Sequence, residues 1–194
     1  MKIKEIEYTP NPNAVKFILD EPLTPFGVAG EFHTAEQAEK VPLAKELFAV
    51  EHVISVYYTD RWLTVTQDGD ASWHELLRAV AVPIRAATAD DASLGDAFVP
   101  PSGAPIEGDG VGLDDPRIPL IREILEDQIL PFLQGDGGGL EIKGLVEDRL
   151  LIRYQGACGT CPSSTMGTLM AIENLVQMEV DDHIEVVAES RPRT

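Results

Sequence analysis

Short runs in which apolar and polar residues alternate open the chain. Ile3–Tyr8 and Ala14–Leu19 read as two strands, and Thr9-Pro10-Asn11-Pro12-Asn13 between them reads as a turn. Proline fixes the backbone there and asparagine tolerates left-handed angles. Alternation returns at 53–58 and 62–66 on either side of Asp60-Arg61, which predicts a hairpin. Thr34-Ala35-Glu36-Gln37 and Ser72-Trp73-His74-Glu75 have the form of capping boxes. The first opens a short helix. The second opens a longer one through Leu76, Leu77 and Val80 toward Ile84, and residues 43–48 make another helix after Pro42. Phe17, Phe48, Tyr57, Tyr58 and Trp62 are read as sheet packing, in a small sheet with helices on one face.

The pattern dissolves between 86 and 116, a stretch with seven acidic residues and no lysine or arginine. Such a composition buries too little apolar surface to offset its ordering entropy, so 87–116 reads as a flexible acidic linker, with room for a short element around Leu94 to Val99. Periodicity resumes with Asp115-Pro116 as cap and first turn, and Ile121, Ile124, Leu125 and Ile129 form a helical stripe that Pro131 bends or ends. Residues 140–146 and 149–155 pair as a hairpin through Glu147-Asp148. Leu150, Ile152 and Tyr154 alternate in its second strand. Pro162 then suits a first helical turn, and Met166, Leu169, Ile172 and Val176 recur at helical spacing before a last strand at 184–187. Met166 and Met170 read as core, and His183 as a surface residue at a turn. The predicted fold is α+β: two small α/β-sandwich domains, 1–86 and 117–194, joined by the acidic linker.

With 194 residues and 44% hydrophobic content, the chain can pack two such cores. No stretch approaches the roughly 18 consecutive apolar residues of a membrane span. The first residues enter strand-like alternation rather than a leader pattern, so a cytoplasmic address is expected. A formal charge of −18 argues against nucleic acid as a partner, since that needs a basic patch.

Candidate chemistry is confined to one place, because the chain's two cysteines, Cys158 and Cys161, stand at C-x-x-C spacing where a strand ends and a helix begins. Unpaired amide hydrogens and the helix dipole favour thiolate at such a junction. Two thiolates can chelate a metal, hold half of a cluster, or close a disulfide. A closed zinc site or an iron–sulfur cluster takes about four ligands, so two are missing. His33, His52, His74 and His183 are scattered one by one. The economical donor of the other half is a second copy of the chain across a twofold axis.

The run Gly156-Ala157-Cys158-Gly159-Thr160-Cys161-Pro162-Ser163-Ser164, with Thr168-Leu169 after it, resembles the signature of the NifU-like C-terminal domain of the Nfu family over 118–188. Gln134-Gly135-Asp136-Gly137-Gly138-Gly139 resembles that family's Asp-Gly-Gly-Asp segment, with Gly139 where the last aspartate is usual. Over 3–86, the segments Thr9-Pro10-Asn11-Pro12-Asn13-Ala14-Val15-Lys16-Phe17, Pro42-Leu43-Ala44-Lys45-Glu46-Leu47-Phe48 and Val65-Thr66 with Trp73 are similar to the Nfu N-terminal domain. The resemblance implies a non-enzymatic iron–sulfur scaffold and carrier. It would be a homodimer when loaded, with Cys158 and Cys161 of each chain holding a shared 4Fe–4S cluster. An upstream assembly scaffold would supply that cluster and apo iron–sulfur proteins would receive it. Two other readings share the motif, a thiol–disulfide oxidoreductase and a zinc-bridged structural dimer. A thioredoxin-like enzyme would place a strand-helix-strand unit ahead of the motif, where a helix and a tight hairpin are predicted.

Overall fold

The computed structural model describes residues 1–25, 27–94, 112–160 and 162–189, with backbone alone for 162–166. It forms two compact units, Met1–Pro101 and Ser102–Thr194.

In the first unit the strands are β1 (Ile3–Tyr8), β2 (Ala14–Leu19), β3 (Ala29–Phe32), β4 (Val53–Thr59) and β5 (Trp62–Gln67). They lie in the order β1-β2-β5-β4-β3, antiparallel throughout. The β4–β5 hairpin turns at Asp60, at φ +44°. The 9–13 turn is held by the Thr9 hydroxyl, which donates to the carbonyls of Asn11 and Ala14. Helices α1 (Ala35–Ala38), α2 (Pro42–Phe48) and α3 (Trp73–Ala86) complete the unit. Thr34 caps α1 by accepting from the Gln37 amide, while the Gln37 side chain accepts from the His33 amide instead of closing the reciprocal box. Ser72 caps α3 through the His74 amide. Leu43 and Leu47 of α2, with Leu76, Val80 and Ile84 of α3, bury against Val15, Phe17, Leu63 and Tyr58 of the sheet. Each such side chain contributes about 2 kcal/mol by leaving water.

Of the five aromatics read as sheet packing, Phe17, Tyr57 and Tyr58 are buried. Phe48 packs at the core's edge, and Trp62 lies against Tyr57 at 5.4 Å and under the Lys16 ammonium at 5.1 Å. The first unit extends past residue 86. Ala87, Ala92 and Leu94 are buried in its core, Asp90–Ala92 make a 3₁₀ turn, and the Tyr58 hydroxyl donates to the Ala92 carbonyl at 2.8 Å. Residues 87–94 are therefore packed chain rather than linker; 95–111 lie outside the described residues.

The second unit consists of α4 (Ile118–Gln128), α5 (Leu130–Gly135), β6 (Gly138–Val146), β7 (Arg149–Gly156), α6 (Pro162–Glu179) and β8 (Glu185–Ala188). Its sheet runs β6-β7-β8, the first pair antiparallel and the second parallel. Ile118, Ile121 and Leu125 of α4, Leu133 of α5, and Ile172 and Val176 of α6 meet Leu140, Ile142, Leu150, Ile152 and Tyr154 on one sheet face. Asp115 does not cap α4 as predicted. Its carboxylate accepts from the Arg117 amide in a turn before the helix, and the first helical residue is Ile118. The helical stripe breaks just ahead of Pro131, as read: α4 ends at Gln128 and Pro131 stands in the first turn of a separate helix, α5, where its missing N–H costs nothing. Met170 is exposed at 64%, against its reading as core.

Candidate functional site

Gly156, the last residue of β7, has φ +60°, which turns the chain out of the sheet into a 3₁₀ turn, Ala157–Thr160. Helix α6 opens at Pro162, whose ring suits a first helical position. The strand–turn–helix junction read from the sequence is present. Cys158 lies in the turn, 3% exposed, with its Sγ 3.9 Å from the Leu133 carbonyl oxygen of α5. Cys161 lies outside the described residues, as do the side chains of 162–166.

The glycine run ahead of β6 is the other wall of the site. Gly137, at φ +77°, accepts the Ala157 amide through its carbonyl at 3.1 Å, tying the turn to the start of β6. Gly138 pairs with Gly156 across the ladder. A Cβ on Gly138 would fall 2.6 Å from the Cys158 Sγ and 2.6 Å from the Gln155 carbonyl oxygen. Cys158 thus occupies the space that a side chain at 138 would take. Gly139 pairs with Gln155, and strand alternation turns position 139 to the opposite sheet face from Cys158. An aspartate there would point away from this sulfur, so the glycine leaves the thiol's surroundings unchanged.

Tyr154, two residues before the strand ends, belongs to the same core cluster as Cys158. Burial, and then negative charge on Cys158, push its phenol well above the usual range. Three of the four histidines make local pairs: His33 with Glu31, His52 with Asp68, and His183 with Asp181 and Asp182. His183 is exposed at a turn, as read.

Sequence reasoning missed two groups. The close approach of Gly138 to Cys158 was signalled only by the Gly137-Gly138-Gly139 run. Arg117, read as nothing in particular, fastens the unit by pairing with Asp115, Asp148 and Asp181 and donating to the Glu147 carbonyl. Its partners lie up to 64 residues away in sequence, beyond local pattern.

Fold and site together define a two-unit α+β protein whose second unit presents cysteine sulfur at a strand-to-helix junction beside a glycine wall. Residues 3–91 match the family described as Scaffold protein Nfu/NifU N terminal, and residues 121–187 match the NifU-like domain. "NifU-like protein 5, mitochondrial" of Arabidopsis thaliana is 33% identical over 182 residues, 92% of this chain and 64% of that protein. "NFU1 iron-sulfur cluster scaffold homolog, mitochondrial" of Homo sapiens is 31% identical over 175 residues, 90% of this chain and 66% of that protein. Among solved structures, that of protein SAV1430 from Staphylococcus aureus is 25% identical with a TM-score of 0.39, covering 43% of this chain and 99% of its own. The chain belongs to the Nfu family of iron–sulfur cluster scaffold proteins. It spans just under two thirds of the length of the Arabidopsis and human relatives.

Proposed function

We propose that two copies of this chain hold one 4Fe–4S cluster through Cys158 and Cys161 of each, and pass it to apo iron–sulfur proteins. The observation that carries the reading is the placement of Cys158. It sits in a turn between β7 and the start of α6, the one region of the chain with thiols, at an end where helix amides favour negatively charged sulfur. The cluster is cargo received from an upstream scaffold. Delivery is ligand exchange: acceptor thiolates bond to iron as Cys158 and Cys161 leave it, and no net oxidation or reduction is required. Because the Cys158 sulfur is almost fully buried, ligation across two chains requires the 157–160 turn to move outward. No catalytic step is assigned to any residue.

The helix pair and antiparallel hairpin ahead of the motif argue against a thioredoxin-like enzyme. A zinc-bridged dimer would use the same thiolates. Anaerobic reconstitution separates the three readings: a brown, air-sensitive chromophore that both Cys158→Ser and Cys161→Ser abolish is the expected result. A colourless protein that holds zinc, or full colour in both variants, would overturn the proposal. The cytoplasmic address belongs to the same proposal and is tested by fractionating cells that express the full chain; recovery with an organelle would refute it.

A further inference from the structure

We propose that the groove between α2 and α3 of the first unit docks a basic amphipathic segment of the protein that receives the cluster. This rests on the reading above that the chain hands a cluster on.

The groove encloses about 440 Å³ within the first unit alone. Its apolar surface comes from Leu43 and Val50 on the α2 side and Val82, Pro83 and Ala86 on the α3 side. Val82, part of that lining, is 66% exposed. Among the described residues that line it, Glu46 and Asp91 are the charged side chains, with no lysine or arginine. Asp91 is kept ionised: hydrogen bonds from the Thr88 amide and hydroxyl, at 2.8 and 2.7 Å, hold its carboxyl below the usual range. Pro83 lies inside α3 and has no N–H, so the helix bond that would close on the Ala79 carbonyl is not made, and Ala79 also lines the groove. An apolar floor, two carboxylates and a carbonyl without its helical donor call for one kind of occupant. It offers apolar side chains at helical spacing and positively charged N–H donors on the flank. A second copy of this acidic chain, at −18, is a poor match by charge.

The full-length protein can be titrated with a fluorescein-labelled synthetic helix of about four turns, leucines on one face and lysines on the other. Two control peptides carry glutamate for lysine, or serine for leucine. The proposal expects saturable one-to-one binding of the leucine–lysine peptide, with amide shifts confined to 42–50 and 79–91. Either Val82→Asp or Glu46→Lys should weaken it by about tenfold or more, the size of one interfacial contact. Both residues are solvent-exposed, and the unperturbed amide spectrum of each variant checks its fold. The proposal is overturned if the glutamate peptide binds as tightly, if both variants bind as the parent does, if the shifts fall elsewhere, or if sedimentation shows a second copy in the groove. Iron content after reconstitution is measured on the same samples. A normal cluster with a failed peptide titration sinks the docking site alone, whereas failure to form any cluster sinks the scaffold reading whatever the peptide does.

Discussion

Placing a methyl group at Gly138 perturbs the thiol site without touching a sulfur. In Gly138→Ala the new Cβ would meet both the Cys158 Sγ and the Gln155 carbonyl oxygen at 2.6 Å, about 0.8 Å inside the 3.4 Å at which ordinary contact begins. The Gln155 oxygen cannot swing aside, because it is backbone in the β7 ladder beside β6. Cys158 is backed by Leu133 of α5, so relief must come either from opening the ladder or from expelling the turn. Overpacking of this kind costs about 1–3 kcal/mol, against a total stability of about 5–15 kcal/mol for a domain. Gly135→Ala is the control, since nothing lies within 4 Å of its Cβ, and it should be neutral or stabilising by up to about 1 kcal/mol. Hydrogen exchange of the β6 and β7 amides reads the second unit. Trp62 and Trp73 both belong to the first unit, so tryptophan fluorescence should report an unchanged first unit. Gly138→Ala should lose exchange protection by about the stated amount and expose Cys158 to faster alkylation in a Cys161→Ser background. Protection and alkylation rates equal to those of the parent would refute the packing argument.

Three further predictions concern stability and division of labour. Arg153 pairs with Glu141, which is 1% exposed and otherwise has Lys143 at 3.5 Å; Arg153→Met should cost about 2–3 kcal/mol by denaturation, while Arg149→Met, at an exposed 3.7 Å pair with Glu185, should change stability by less than about 0.5 kcal/mol. Arg117→Met should lower the thermal midpoint of the second unit by a few degrees at neutral pH and flatten its acid dependence. Hydrogen bonds from Arg117 depress the carboxyl of Asp115, and the His183 amide and then Arg117 depress that of Asp181. That stabilisation is present above the unfolded carboxylate value, about 3.9, and is lost as pH falls through the lower folded values. A chain reduced to 112–194 should bind the same cluster with the same iron content but deliver it more slowly to a dilute apo-enzyme, the deficit vanishing at high concentration; equal rates throughout would remove any docking role from the first unit.

Much of the fold was legible because it follows local periodicity. The hairpin about Asp60, the helix after Pro42 and the β7–α6 junction all appear where alternation or helical spacing placed them. β3 was not legible, since Ala29–Phe32 has too few apolar residues to alternate. It forms by pairing with β4, and Gly30 is bare because the Tyr58 ring and Leu94 fill the space over it. The same packing hid residues 87–94: a composition of alanines and aspartates reads as linker, while Ala92 and Leu94 suffice to plug a core edge. At the site, the cysteine motif was plain but its burial was not. That burial depends on Leu133 and Gly138, which reach Cys158 through tertiary contact. Met170 shows the converse limit: a methionine near a helical stripe can sit on the solvent face, while Ile172 and Val176, with Leu169 at the edge, pack into the core.

Sharing of one cluster between two chains is tested most directly by iron and acid-labile sulfide counts joined to native mass measurement of the anaerobically reconstituted full chain. A 4Fe–4S cluster held by Cys158 and Cys161 of two chains predicts about two irons and two sulfides per chain, all carried by a dimer. Four irons on a monomer, or unchanged iron content when Cys158 is replaced by serine, would contradict it.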